Sequence, residues 1–388
     1  MICSSHIKEN DSKNKGEFKM KIGIPREIKS QEDRVGMFPA GVSDLIKAGH
    51  TVVVETSAGV GSGYLDTDYE SIGATIGSAK EAWDCEMVIK VKEPIASEYK
   101  YFREDLIIYT YLHLAANRPL TDALMDNKVT GVAYETMVGP RGGLPLLVPM
   151  SVIAGKMSVQ VGAHFLEEPH QGKGLLLGGT PGVRQGKVTI IGAGTVGFNA
   201  AKMAVGMGAD VTILDINAQR LAELENIFDG RIHTLMSNPH NIAECVKQSD
   251  LVVGAVLVPG AVAPKLVTEE MVESMEPGSV VVDIPIDQGG MFETSIKATT
   301  HEDPIYLSHG VVHYTVANIP GAVPKTATEA LSSATLPYAI QIANEGIQRA
   351  SVNHTVMSGI NTYHGNLTEK AVSDSLGVDY TELSGELV

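Results

Sequence analysis

Val188-Thr-Ile-Ile191, Gly192-Ala-Gly-Thr-Val-Gly197 and Val211-Thr-Ile-Leu-Asp215 are the stretches on which the fold turns. The first is an apolar, β-branched run of the kind that forms a strand buried on both faces of a parallel sheet. The glycine run opens a helix of small residues through Ala200, Ala201 and Ala204 to Gly208, and the second strand ends at an acid. Each glycine has its own physical reason. Gly192 permits the tight turn, Gly194 lets backbone approach a pyrophosphate, and Gly197 lets helix and strand pack closely. The helix N-terminus then presents unpaired N–H groups and the positive end of its dipole to phosphate. Asp215 lies 21 positions beyond Gly194, where it can accept hydrogen bonds from a ribose. Its charge repels a 2′-phosphate and so favours NAD over NADP, while Arg220, five residues on, tempers that preference. Without a ligand the same segment reads as a close-packed strand–helix turn.

The pattern continues on both sides. Downstream, Leu251–Ala255 and Ser279–Ile284 read as further strands. Thr326–Arg349 reads as a helix kinked at Pro337, because proline removes a helical donor. Upstream, Ser151–Glu168 has apolar residues at helical spacing, and Gly172–Gly186 reads as a loop. Earlier still, Met20–Ile24, Thr51–Glu55, Met87–Lys92, Leu106–Leu112 and Gly131–Tyr134 are short strand-like runs with helical segments such as Gly41–Ala48 between them. The alternation predicts an α/β protein built on parallel sheet with helical crossovers.

Composition narrows the functions. A length of 388 residues suggests two or three domains. A net charge of −16 makes nucleic acid an unfavourable partner. The longest apolar run, Leu251 to Pro264, is broken by Gly and Pro and is shorter than the ~18 residues of a membrane span. Cys3, Cys85 and Cys245 are widely spaced, which fits a reducing compartment, and a cytoplasmic location is expected. Met1–Lys19 is polar, lacks the apolar stretch of a secretory signal, and is expected to be a disordered extension.

The N-terminal half carries the candidate chemistry. Arg34 precedes apolar Val35 and lies near Met37; it suits a carboxylate in a cleft, or it is a solvated surface arginine. Lys90 and Lys92 close a strand before Pro94, and alternation puts them on one face. One of them at a carboxyl strand end is placed for a ligand; a solvated edge lysine is equally consistent. His113 ends a strand and can move protons near neutral pH, or it is a hydrogen-bonded core histidine. Asp287 stands before Gly289 and Gly290, either where backbone approaches a ligand or as a loop-capping carboxylate.

Taken together, Glu27, Arg34-Val35, Pro39-Ala-Gly41, Lys90-Val-Lys-Glu-Pro94, Leu112-His-Leu114, Pro149-Met-Ser151, Gly192–Gly197, Leu214-Asp-Ile-Asn217, Gly254-Ala-Val-Leu-Val-Pro-Gly260, Ile286-Asp-Gln-Gly-Gly290, Val316-Ala-Asn318 and Val323-Pro-Lys-Thr326 resemble the NAD-dependent alanine dehydrogenase family, part of the alanine dehydrogenase/transhydrogenase group, from Met20 to about Gly377. The resemblance implies reversible oxidative deamination of L-alanine to pyruvate and ammonia by a homohexamer, with no metal and no membrane. It also implies two Rossmann-like, doubly wound lobes: a substrate lobe of residues 20–146 and 325–388, and an inserted NAD lobe of residues 147–324. Arg34 and Lys92 would bind substrate, and His113 and Asp287 would be catalytic. Ser151, Gly192, Gly194, Thr195, Val196, Gly197, Asp215, Arg220, Ser237, Val256, Leu257, Ile284, Asp287, Asn318 and Ile319 would line the NAD site. The chain departs from the family pattern at Phe38, Pro285, Ile296 and Ile319, where Thr, Ala, Arg and Met are usual. Competing readings are the nucleotide-binding part of a proton-translocating transhydrogenase, a saccharopine-type dehydrogenase, and a non-enzymatic NAD-binding protein.

Overall fold

The computed structural model describes residues 19–256 and 262–383. The expected N-terminal extension, but for Lys19, and the candidate Leu257 lie outside the described residues. Two sheets organise the chain. The first holds β1 (Lys21–Ile24), β2 (Thr51–Glu55), β3 (Thr75–Gly77), β4 (Met87–Ile89), β5 (Ile107–Thr110) and β6 (Thr130–Ala133). The second holds β7 (Lys187–Ile191), β8 (Asp210–Asp215), β9 (His233–Met236), β10 (Leu251–Gly254), β11 (Val280–Asp283), β12 (Ile305–Ser308) and β13 (Val311–Tyr314). The chain then returns to the first sheet, adding β14 (Ile360–Tyr363) beside β6 and β15 (Asn366–Leu367) at the edge.

Both sheets have the same winding. The first runs β3-β2-β1-β4-β5-β6 and the second β9-β8-β7-β10-β11-β13, and every one of these neighbours is parallel. This is the doubly wound order, in which a crevice opens outside the carboxyl ends of the two central strands where the winding reverses. One switch point is β1/β4; the other is β7/β10. The sheets are mixed rather than purely parallel, because β12, β14 and β15 join their edges antiparallel.

Helices cover both faces, so alternate strand residues enter different cores. In the first sheet Ile22, Met87, Ile89 and Tyr109 face one cluster, and Val88 and Ile108 the other. In the second, Val188, Ile190 and Val253 face one side, and Ile191 and Val252 the other. This explains why the strands read as continuous apolar runs. Two long helices, Val148–Phe165 and Pro324–Ala350, link the lobes. Met150 packs against the main core of each lobe, and Ala327 and Leu331 lie in the second and first cores respectively.

Three expectations need correction. Strand β4 stops at Ile89, so strand alternation does not govern Lys90 and Lys92, and they have different neighbours: Glu27 and Glu98 for Lys90, Arg34 for Lys92. Strand β5 stops at Thr110, and His113 sits beyond it in the left-handed region (φ 50°). The last long helix breaks at Gly346 (φ 72°, ψ 160°) rather than at Pro337. Buried Ala339, Ile342 and Ala343 hold the turns after the proline, and the break falls where no Cβ opposes it.

Candidate active site

The glycine loop follows β7 at the β7/β10 switch point. Gly192 adopts φ 103°, and a Cβ there would stand 2.8 Å from the Ala255 carbonyl oxygen. A Cβ on Gly197 would lie 1.8 Å from the Gly192 carbonyl oxygen, so only glycine allows this helix-to-loop contact. A Cβ on Gly194 would meet nothing within 4 Å, so the backbone there borders open space. Helix Thr195–Gly206 starts from Gly194 without a side-chain cap, and its first N–H groups are directed toward that space. A pyrophosphate fits this cradle.

Asp215 ends β8 and is half-buried. Its carboxylate accepts from the Ala193 N–H at 2.7 Å and the Asn217 N–H at 2.8 Å, which ties it to the glycine loop. Arg220 donates to the Ala193 carbonyl at 2.9 Å and pairs with Glu223 at 3.0 Å, over the Phe198 ring. The other nucleotide candidates gather at neighbouring strand ends: Ser237 after β9, Val256 after β10, and Ile284 in the turn after β11. Ser151 and Thr195 lie in the first turns of their helices, and Val196 is buried beside Thr195. Ile319 is buried in the second core.

The substrate candidates collect at the β1/β4 switch point. Arg34 is 2% exposed, not a surface arginine. Its guanidinium grips the Glu32 carboxylate twice, at 2.6 and 2.5 Å, and donates to the Asn318 side-chain oxygen at 2.9 Å and the Met150 sulfur at 3.1 Å. Burial disfavours both charges, but their mutual attraction outweighs it, lowering the Glu32 pKa and raising that of Arg34. Asn318, on the far side of the second sheet's sequence, also donates to Glu32 at 3.2 Å. Arg34 and Asn318 therefore meet, although one is a substrate candidate and the other a cofactor candidate.

The two lysines separate cleanly. Lys90 is fully buried between Glu27 at 2.9 Å and Glu98 at 3.1 Å. Glu27 also accepts from the Val91 and Lys92 N–H groups at 2.6 and 3.2 Å and so shapes the segment that carries Lys92. Lys92 makes no ion pair among the described residues, and burial together with the nearby Arg34 charge pushes its pKa down. Its carbonyl accepts from Thr110 Oγ1 at 3.0 Å, which ties it to the segment leading to His113.

His113 is half-exposed, with Nδ1 3.3 Å from Glu93 Oε2. Burial opposes ionisation of Glu93, but adjacent His113 and Lys29 outweigh it and hold the carboxyl at about 2. Glu135 accepts from the His113 N–H at 2.6 Å and the Leu112 N–H at 3.0 Å, fixing the left-handed turn. Asp287 stands exposed in the turn Ile284–Gln288, and no hydrogen bond or ion pair of the described residues joins it to His113, Lys92 or Arg34. The loop-capping role belongs instead to buried Asp283, whose carboxylate accepts from the Met291 N–H at 3.0 Å. Sequence reasoning missed Glu32, Glu93 and Glu135. The first two sit within two residues of named candidates, whereas Glu135 reaches His113 only because β5 and β6 are neighbours.

Similarity to known proteins runs along most of the chain. Residues 23–154 match the family model "Alanine dehydrogenase/PNT, N-terminal domain", and residues 158–370 match "Alanine dehydrogenase/PNT, C-terminal domain". An alanine dehydrogenase of Geobacillus stearothermophilus is 61% identical over 367 residues, 94% of this chain and 98% of that protein. The structure of an L-alanine dehydrogenase superposes with a TM-score of 0.90 at 52% identity, covering 92% of this chain and 99% of the other. A transhydrogenase from Sinorhizobium meliloti gives a TM-score of 0.79 at 26% identity, covering 90% and 99%. With two family models spanning most of its length and near-full-length identity of this order, the chain belongs to the alanine dehydrogenase/PNT family.

Proposed function

We propose that this chain is an NAD-dependent L-alanine dehydrogenase, which catalyses L-alanine + NAD⁺ + water ⇌ pyruvate + ammonium + NADH + H⁺. The observation that carries this reading is Lys92, without an ionic partner among the described residues, beside buried Arg34 at a sheet switch point that also places His113. Near-full-length identity to alanine dehydrogenases supports it. Bound NAD supplies the hydride acceptor, and Asp215 favours NAD over NADP. Arg34 and Lys92 hold the substrate carboxylate and align Cα, which lowers the entropic cost of reaching the transition state. His113 takes a proton from the water that attacks the substrate iminium carbon and returns one to the departing amine. Glu93, facing Nδ1, leaves Nε2 for that transfer. Asp287 orients the water or faces the cationic nitrogen.

The transhydrogenase reading is weaker, since hydride relay between two nucleotides needs no carboxylate-binding pair. Among the described residues no helix is long and apolar enough to cross a membrane. We further place the enzyme in the cytoplasm as a homohexamer. Light scattering should give six times the 41.2 kDa chain mass, and recovery of the enzyme with cell membranes would count against the location. An amino-acid panel with NAD, followed by NADH absorbance, tests the reaction. L-Alanine should be the best substrate, with leucine and glutamate poor; one extra methylene alone shifts selectivity by roughly 10–200-fold. Calorimetry should show NADH bound more tightly than NADPH. A preference for a large or acidic amino acid overturns the substrate, and equal nucleotide affinities overturn the role of Asp215.

A further inference from the structure

Helix Val148–Phe165 ends in a turn that gathers three potential metal ligands within His164-Phe-Leu-Glu-Glu-Pro-His170. On an uninterrupted helix, residues six apart point roughly 120° away from each other. Here the α-helix stops at Phe165 and a short 3₁₀ turn, Glu168–His170, folds back. The Glu167 carbonyl accepts from the His170 N–H at 3.0 Å and the Gly172 N–H at 3.1 Å, which fixes the turn. The His164 and His170 rings consequently lie 3.8 Å apart, centre to centre. Glu167 Oε2 is 3.8 Å from His164 Nδ1 and 3.7 Å from His170 Nε2, beyond hydrogen-bond reach of either. The three side chains converge without bonding to one another.

We propose that His164, Glu167 and His170 bind a divalent transition-metal ion of the Zn²⁺ class. Two imidazoles and a carboxylate are a donor set that suits such an ion. One ligand atom from each residue lies within 4.8 Å of the others. With metal–ligand bonds of about 2.0–2.1 Å, the edge of a tetrahedral site is about 3.3 Å, so small side-chain rotations close the set. All three side chains are partly exposed, which lets water complete the shell. The site is separate from the catalytic cluster: thirteen residues of helix put His164 roughly 20 Å from Ser151. It would clamp the helix end to the turn. A second grouping, Glu269, Glu273 and His309, differs, because its imidazole spends both nitrogens on separate carboxylates at 2.8 and 3.1 Å.

The test uses full-length protein stripped with a chelator, dialysed and titrated with Zn²⁺ by calorimetry. One Zn²⁺ per chain should bind at micromolar affinity or tighter and raise the melting temperature. The double variant His164→Gln/His170→Gln should lose both effects while keeping the alanine turnover and melting temperature of the stripped wild type. Glu167→Gln should weaken binding, and His309→Gln should leave it intact. Absence of micromolar binding to the wild type, or unchanged binding by the double variant or by Glu167→Gln, overturns the proposal. So does loss of binding in His309→Gln alone.

Discussion

His113 combines an exposed imidazole with a backbone held rigidly by Glu135 and an Nδ1 facing Glu93. A positioned proton-transfer group of this kind contributes about 10²–10⁴-fold. His113→Ala should therefore lower turnover by roughly that factor, with NADH affinity near wild type; a folded variant with near-normal kcat would remove the assignment. Glu93 gives a pH signature. Its carboxyl titrates at about 2 instead of the usual 4.5, so folding favours its ionised form. That stability is complete above the unfolded value and is lost as pH falls through the folded one. Glu93→Gln should melt below wild type near neutrality, and the gap should close as pH falls from about 4.5 toward 2. A gap that persists on acidification would show that the pairing does not stabilise the fold. At this scale the sequence exposed Arg34, Lys92 and His113 as residue types suited to the chemistry, but not their partners. That Arg34 is also held by Met150 and Asn318 depends on chain segments brought together from over a hundred to nearly three hundred residues away, which no local spacing reports.

At the scale of elements, the glycine loop separates binding from packing. Gly194 has φ −67° and open space beyond it, so alanine is conformationally acceptable there. Gly194→Ala should change stability by no more than about 0.5 kcal/mol yet weaken NADH, because the methyl group enters the phosphate space. Gly197→Ala must displace the helix from the Gly192 carbonyl oxygen and should cost about 1–3 kcal/mol or more, with weaker NADH binding as a consequence. Thermal melting paired with nucleotide titration distinguishes the two; Gly194→Ala with wild-type affinity would argue against a phosphate at that loop. Strands β7 and β8 were legible because their β-branched, apolar runs are those of a parallel strand covered on both faces. Strand β14, Ile360-Asn-Thr-Tyr363, was not: it carries two polar residues and takes its strand character from pairing with β6 on one side and β15 on the other. Proline likewise misled, since Pro337 costs a helical donor but surrounding packing holds the helix, and Gly346 is where the backbone yields.

Across the whole molecule, the two lobes share one winding, yet the catalytic arrangement depends on what joins them. Asn318 follows the last strands of the second sheet and reaches the Arg34–Glu32 pair of the first lobe. It then leads through the turn Ile319–Ala322 into helix Pro324–Ala350, which packs on both cores. Arg34 is thus oriented from its own loop by Glu32, from the inter-lobe helix by Met150, and from the nucleotide lobe by Asn318. A shift between the lobes would be felt first at the guanidinium proposed to hold substrate. Asn318 also occupies the left-handed region, at φ 62°, which glycine tolerates and alanine does not. Asn318→Gly removes only the side-chain bonds to two charged groups, each contributing about 1.5–3 kcal/mol. It should raise the KM for alanine and lower the melting temperature. Asn318→Ala should lose the same bonds and a further 1–2 kcal/mol or so of backbone strain, melting lower still while showing a similar KM. Steady-state kinetics and melting of both variants decide the matter: a glycine variant with wild-type KM would mean that Arg34 is positioned from its own lobe, and that the contact between lobes contributes stability alone.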